Sequence, residues 1–267
     1  MNATAHYDAK AGAGRAAGAG RAAGARSELQ QFHNEAKRAL LATYARGAGA
    51  VLDLACGRGG DVHKWLSLGI GRVTGLDVSP ASVEEARSRF AARNSGKKYE
   101  FHAADLLQPW TDGQVYDVVS CMFALHYFFR TEDDAKRLLQ TVSDHLRPGG
   151  VFLGIVPDGQ AVVECINPAD PLADPKDGVF DNGVVRVRAL WAGKPRAFGS
   201  AYRCSIRGTV TEGSEVDEFL VYASVLEALA ARHGLVAEKA GRLVPPYGGA
   251  QGRCTSLFTA FAFRKAC

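Results

Sequence analysis

No two of the six cysteines form a CxxC pair; they fall singly at positions 56, 121, 165, 204, 254 and 267. That spacing excludes the common zinc and thioredoxin-like motifs and reads as free thiols in a reducing compartment. No apolar run approaches bilayer-spanning length, and the amino terminus has no secretory apolar stretch, so no membrane partner and no export are expected. Charge of one sign is also lacking. The 32 Lys and Arg against 28 Asp and Glu leave +4, which permits an anionic partner without demanding one.

What is present is a chain of 267 residues, 47% hydrophobic, enough for one large α/β domain or two small ones. Residues 1–26, built around AGAGRAAGAGRAAGAR, offer little surface to bury and read as a disordered Ala/Gly/Arg tail with solvated arginines. Residues 27–267 then form the folded domain.

The domain alternates strand and helix. Glu28 to Ala45 has helical spacing, and within it Phe32–Lys37 sets polar groups at i and i+4, as an exposed helix face also would. Strands follow at Ala50–Leu54, Arg72–Asp77, Glu100–Ala103, Tyr116–Met122 and Val151–Val156. Helices are expected over Gly60–Leu68, closed by Gly69, from Ser79-Pro80 to Arg93, and over Asp133–Leu146, stopped by Arg147-Pro148-Gly149-Gly150. From Asp158 to Asp177 the chain is rich in Pro and Asp and reads as loop. Further strands are expected at Val184–Leu190, Tyr202–Val210 and Ser256–Phe263, with a helix inside Ser214–His233, Val216–Arg232 at its widest. No second hydrophobic core is visible, so the later half completes the first domain. The fold class is α/β, a doubly wound, mostly parallel Rossmann-like sheet with a C-terminal antiparallel extension. Asp53, Asp77, Asp105 and His126 fall at strand carboxyl ends, where such sheets bind ligands.

One stretch organises the rest: Val51-Leu52-Asp53-Leu54-Ala55-Cys56-Gly57-Arg58-Gly59-Gly60-Asp61, then Val62-His63-Lys64-Trp65. A strand runs into a glycine turn and a helix start, the layout of a nucleotide crevice. The dinucleotide fingerprint ends on a third glycine, but Gly57-Arg58-Gly59-Gly60-Asp61-Val62 ends on valine. Instead the stretch resembles motif I of class I S-adenosylmethionine-dependent methyltransferases, usually D/E-x-G-x-G-x-G. Small residues there let the methionine part of the cofactor lie against the backbone.

Five segments in order carry a narrower resemblance: VLDLACGRGGDVHKW, FALHYFF, PGGVFLGIVP, Asp217-Glu218-Phe219-Leu220-Val221-Tyr222, and Thr255–Phe258 through Phe261–Phe263. Together they resemble the eukaryotic and viral mRNA cap guanine-N7 methyltransferase family over about Phe32 to Lys265. The resemblance implies a methyltransferase domain that passes a methyl group from S-adenosylmethionine to guanine N7 of the GpppN cap, with no metal and no general base. It implies Lys37, Ala55, Asp77, Asp105, Met122 and Tyr127 on the cofactor. On the cap it implies His33, Asn34, Arg58, Lys64, Arg89, His126, Glu218 and Phe258, with His126, Tyr127 and Glu218 positioning the base. Its departures are Ala55 for a glycine, tolerable if φ is negative there, His33 for an asparagine, Arg58 for lysine, Met122 for glutamine and Phe258 for tyrosine. Capped RNA is the implied partner, alongside other capping enzymes, with the chain a monomer in the nucleus, or at cytoplasmic sites if viral. The short stretch Ala237–Cys254 leaves no helical lobe for an activator subunit. Two alternatives stay open at this point: another class I methyltransferase acting on a small molecule, and a non-catalytic subunit of a capping complex.

Overall fold

The computed structural model describes residue 8 and residues 27–93, 96–166, 173–174, 178–209, 211–214 and 216–267. The expected tail therefore lies outside the described residues, apart from Asp8.

Helix α1 (Glu28–Tyr44) starts where the Ser27 hydroxyl accepts from the Gln30 amide, and buries Leu29, Leu40 and Leu41. Strand β1 (Ala50–Leu54) is buried along its whole length, as its continuous apolar run requires of a central strand. Helix α2 (Val62–Ser67) and β2 (Arg72–Asp77) follow, then α3 (Pro80–Ala91), capped by the Ser79 hydroxyl with proline in its first turn. Strand β3 (Lys98–Ala103), β4 (Tyr116–Met122), a 3₁₀ turn (Leu125–Phe128), α4 (Glu132–His145) and β5 (Leu146–Pro157) complete the alternating half.

The later half departs further from expectation. Asp158 is a helix cap rather than a loop signal: its carboxylate accepts from the Ala161 amide and starts α5 (Gly159–Cys165). Short strands β6 (Ala173–Asp174) and β7 (Val179–Asp181) precede β8 (Val185–Ala189) and β9 (Ala201–Ile206), the last ending earlier than its apolar residues suggest. The helix over Val216–Arg232 shrinks to α6 (Ala223–Arg232), because Glu218–Phe219 pairs with β9 as strand β10. Strand β11 (Leu235–Arg242) and helix α7 (Gly249–Thr255) are additions. β11 buries only Leu235, so no apolar alternation announces it. Strand β12 (Phe258–Lys265) closes the chain.

Seven strands form one sheet in the order β11-β12-β5-β4-β1-β2-β3. Strands β3, β2, β1, β4 and β5 pair in parallel, while β12 runs antiparallel to both β5 and β11. The order reverses between β1 and β4, the switch point where ligands bind in open α/β sheets. Strand alternation splits the interior: Val51 faces a cluster with Leu41, Trp65 and Val73, while Leu52 and Leu54 face one with Leu138, Phe152 and Phe261. The second sheet, β10-β9-β8-β7-β6, is antiparallel throughout. Its inward residues Phe180, Val185, Val187, Cys204 and Ile206 join the Val51 cluster, so it shares the core of the main sheet.

Candidate active site

A cavity of about 640 Å³ opens at the carboxyl ends of β1, β2 and β4. Its floor is the glycine turn. Beyond Leu54 the backbone passes through left-handed conformations at Ala55 (φ +53°), Gly57 (φ +53°) and Gly59 (φ +66°). At Gly59 a Cβ would come within 3.0 Å of the Ala86 Cβ and 3.1 Å of a Val62 methyl, so packing as well as φ demands glycine. Ala55 does not meet the condition of a negative φ under which its methyl is tolerable. Its methyl sits in a region that costs a non-glycine residue about 1–2 kcal/mol. Phe123 (φ +59°) is the other non-glycine residue of this kind among the described residues, and it too lines the cavity.

Asp77 is built into this turn. One carboxylate oxygen accepts from the Gly57 amide (2.8 Å), the other from the Ser79 amide (2.9 Å) at the start of α3. Burial raises its pKa, and those two amides hold the rise back. Asp8 reaches the same place: its Oδ1 accepts from the Ser79 hydroxyl (2.5 Å) and the Ala81 amide (3.3 Å). Asp105 lines the cavity just past β3, with its Oδ1 on the Leu107 amide (3.0 Å). Met122 and Tyr127 line it from β4 and the 3₁₀ turn.

A charge network closes the α1 side. Lys37 Nζ lies 2.7 Å from Asp61 Oδ2 and 5.2 Å from the centre of the Phe123 ring. Lys64 Nζ lies 2.5 Å from Asp61 Oδ1 and donates to Asn34 Oδ1 at 3.0 Å. The two ammonium groups hold the Asp61 carboxyl below the usual range against its burial. Asp53 goes the other way, pushed up by burial and by Asp61 while accepting from Ser120 Oγ (2.6 Å) and Trp65 Nε1 (3.3 Å). Asp61 was quoted in the glycine stretch without a role, and its pairing with Lys37 of α1 and Lys64 of α2 is what assigns one.

The basic residues expected on the cap separate into two kinds. Arg58 and Arg89 line the cavity and share one carboxylate: Arg58 Nη1 lies 3.6 Å from Glu85 Oε2, and Arg89 bonds Glu85 Oε1. Lys64 is 2% exposed and turned inward onto Asp61 and Asn34, so in this conformation it offers no charge to the cavity. Asn34 is likewise engaged, donating to the Gln30 carbonyl at 2.8 Å. His33 sits between Phe123 and Phe258, with ring centroids 5.2 and 5.0 Å away, and its Nε2 has no hydrogen-bond partner. Burial, with Lys37 nearby, lowers its pKa to about 4, so the ring is neutral.

His126 and Glu218 meet although 92 positions separate them. His126 Nε2 is 3.6 Å from Glu218 Oε2, and each residue is 3% exposed. Neither lines the cavity, but their chain neighbours Tyr127, Asp217 and Phe219 do. Neither ring nitrogen of His126 has a hydrogen-bond partner. Burial lowers the His126 pKa to about 3 and raises that of Glu218 to about 8. Arg130, Asp217 and Phe219 were not singled out from the sequence as lining residues; for Asp217 and Phe219 the flanking of Glu218 was the available signal.

Comparison with known proteins bears on the family and the fold. The profile of the mRNA (guanine-N(7))-methyltransferase domain matches residues 2–240, and so runs through the 1–26 stretch. A relative from Arabidopsis thaliana named mRNA cap guanine-N(7) methyltransferase 1 is 37% identical over 157 residues, 54% of this chain and 42% of its own. The rice protein of the same name is 32% identical over 225 residues, 78% of this chain and 58% of its own. The Schizosaccharomyces pombe mRNA cap guanine-N(7) methyltransferase is 31% identical over 224 residues, 78% and 59% respectively. The chain thus spans about half the length of the curated relatives it matches. Among solved structures, an S-adenosylmethionine-dependent methyltransferase from Clostridium acetobutylicum superposes with TM-score 0.58 at 15% identity, covering 92% of this chain and 94% of that one. The Bradyrhizobium japonicum N-methyltransferase NodS in complex with S-adenosylhomocysteine gives 0.55 at 14%, covering 90% and 88%. At those identities the likeness concerns the fold. The chain belongs to the mRNA (guanine-N(7))-methyltransferase domain family.

Proposed function

We propose that this chain transfers a methyl group from S-adenosylmethionine to guanine N7 of the 5′ GpppN cap of mRNA. The observation that carries the reading is the buried pair His126 and Glu218, with unpartnered ring nitrogens, immediately behind the cavity wall. Buried polar atoms without partners are rare, and a base edge admitted past the wall residues Tyr127 and Phe219 would supply the missing ones.

The residues present fit the cofactor. Gly57 and Gly60 line the cavity with no side chain in the way, Asp77 and Asp105 suit a ribose diol and an adenine amine, and Lys37 suits a carboxylate. When bound, the cofactor supplies a methyl group on a sulfonium, already an excellent electrophile. Guanine N7 carries a lone pair and no proton at neutral pH, so no residue need act as a base. The chain's own work is to hold the base in line and exclude water. Glu218, as carboxylate, accepts from guanine N1 and N2, selecting guanine over adenine and favouring the positive ring that forms. Neutral His126 donates toward O6. Arg58 and Arg89 receive the triphosphate, Arg58 with a planar fork. Tyr127 packs on His126, ring centroids 4.1 Å apart, and keeps one face in the cavity. Phe258 and His33 bound the base region through Phe123. Lys64 and Asn34 act at one remove, by fixing Asp61 and hence Lys37.

We further propose residues 27–267 as the catalytic unit, reached by Asp8 from the tail. It would work as a monomer beside other capping enzymes in the nucleus, the compartment suggested by its eukaryotic relatives. The six residues between β11 and the short α7 support action without an activator on a helical lobe. Among the described residues no helix is long and apolar enough to cross a membrane.

The test is transfer of labelled methyl from S-adenosylmethionine to GpppA-capped and m7GpppA-capped RNA, with Glu218→Ala as control. Label entering only the unmethylated cap, and lost with the variant, supports the reading. Label entering a small metabolite but no RNA refutes it.

A further inference from the structure

Glu218 has little to hold it in place. Strand β10 is two residues long and lies at the edge of the second sheet, paired with β9 alone. In that register Glu218 stands directly opposite Tyr202, so the two side chains share the inward face. Tyr202 is 1% exposed, and its hydroxyl completes no well-formed hydrogen bond. The phenol nonetheless lies against the Glu218 carboxyl, the one contact that offsets the upward push of burial on that acid. The other groups around the carboxyl do not donate strongly to it. His126 approaches from the 3₁₀ turn at 3.6 Å, and Cys204 lies on β9, its thiol pushed up by burial and by Glu218. Arg203 and Asp217, on the opposite face of the same two strands, pair with each other at 2.9 Å.

We propose that Tyr202 is the positioning residue of guanine recognition, its hydroxyl donating to the Glu218 carboxylate and fixing it to receive the N1 and N2 hydrogens of the cap. This rests on the assignment of Glu218 to the guanine edge. A buried hydroxyl without a partner is unfavourable in the free protein, and ionisation of Glu218 on guanine binding turns the contact into a charge-assisted bond. Strand β9 is paired on both sides, so it lends the two-residue edge strand its rigidity.

The experiment is steady-state methyl transfer by the full chain and Tyr202→Phe on GpppA-capped RNA across pH. The variant raises KM for capped RNA about tenfold, leaves KM for S-adenosylmethionine and kcat within about twofold, and moves the acidic limb of kcat/KM up by about one pH unit. A purely structural tyrosine would not move that limb. Difluorotyrosine incorporated at position 202 keeps the ring, strengthens the donor and moves the limb the opposite way. In a Glu218→Gln background, Tyr202→Phe adds nothing further. If Glu218→Gln impairs cap KM while Tyr202→Phe changes neither KM nor the pH limb, the role of Tyr202 is refuted and that of Glu218 stands. If Glu218→Gln itself keeps the wild-type cap KM, the underlying assignment fails.

Discussion

His126 and Glu218 face each other at 3.6 Å in a buried pocket, the histidine neutral and the acid pushed up to about 8. In the proposed mechanism guanine recognition needs Glu218 as carboxylate. The kcat/KM for capped RNA therefore rises with pH up to about 8 and falls about tenfold per unit well below it, as a single required ionisation dictates. Stability runs the other way. The folded pKa lies above the ordinary 4.5, so this contribution is full below 4.5 and is lost as pH rises through 8. Glu218→Gln flattens both curves; a pH–rate profile and pH-dependent thermal melts check the pair.

Ala55 sits at φ +53°, at a position that the resemblance to motif I gives to glycine. Ala55→Gly removes the left-handed strain of the methyl, less the entropy lost with glycine. A gain of about 0.5–1 kcal/mol, or a rise in Tm of about 1–4 °C, is expected by calorimetry.

Arg58 and Arg89 share the Glu85 carboxylate at the cavity wall. Arg58→Ala raises KM for capped RNA by about tenfold or more, the cost of a hydrogen bond to a charged group. It leaves the dissociation constant of S-adenosylmethionine, measured by calorimetric titration, within about twofold.

Asp61 bridges Lys37 and the buried Lys64. Asp61→Asn leaves the Lys64 ammonium without its counter-charge and destabilises the protein by about 3 kcal/mol, read as a drop in Tm of roughly 10 °C. Asp61→Asn combined with Lys64→Met recovers part of the loss.

The alternating half was legible because each strand there is a buried apolar run bounded by a turn signal. β1 and β2 fall at their expected ends, and α3 starts at Ser79-Pro80 as expected. The later half was not. β10 owes its conformation to Tyr202 and Ala201 across the ladder rather than to its own two residues. β11 is exposed almost throughout, and Asp158 reads as loop until the Ala161 amide shows it to be a cap. Of the site, the residues that resemblance puts on the cofactor all line one cavity, while of those it puts on the cap only Arg58 and Arg89 do; resemblance gave only their positions. That Lys64 turns inward depends on Asp61, Asn34 and Lys37 meeting from two helices, and that Ala55 is strained depends on the turn's φ values.

The central claim is tested most directly by where the methyl group lands. GpppA-capped RNA is incubated with the chain and labelled S-adenosylmethionine, digested with nuclease P1, and its cap dinucleotide compared with authentic m7GpppA. All label co-migrating with m7GpppA is the predicted result; label on the adenosine, on internal nucleotides, or none on RNA while a small molecule is methylated would contradict it.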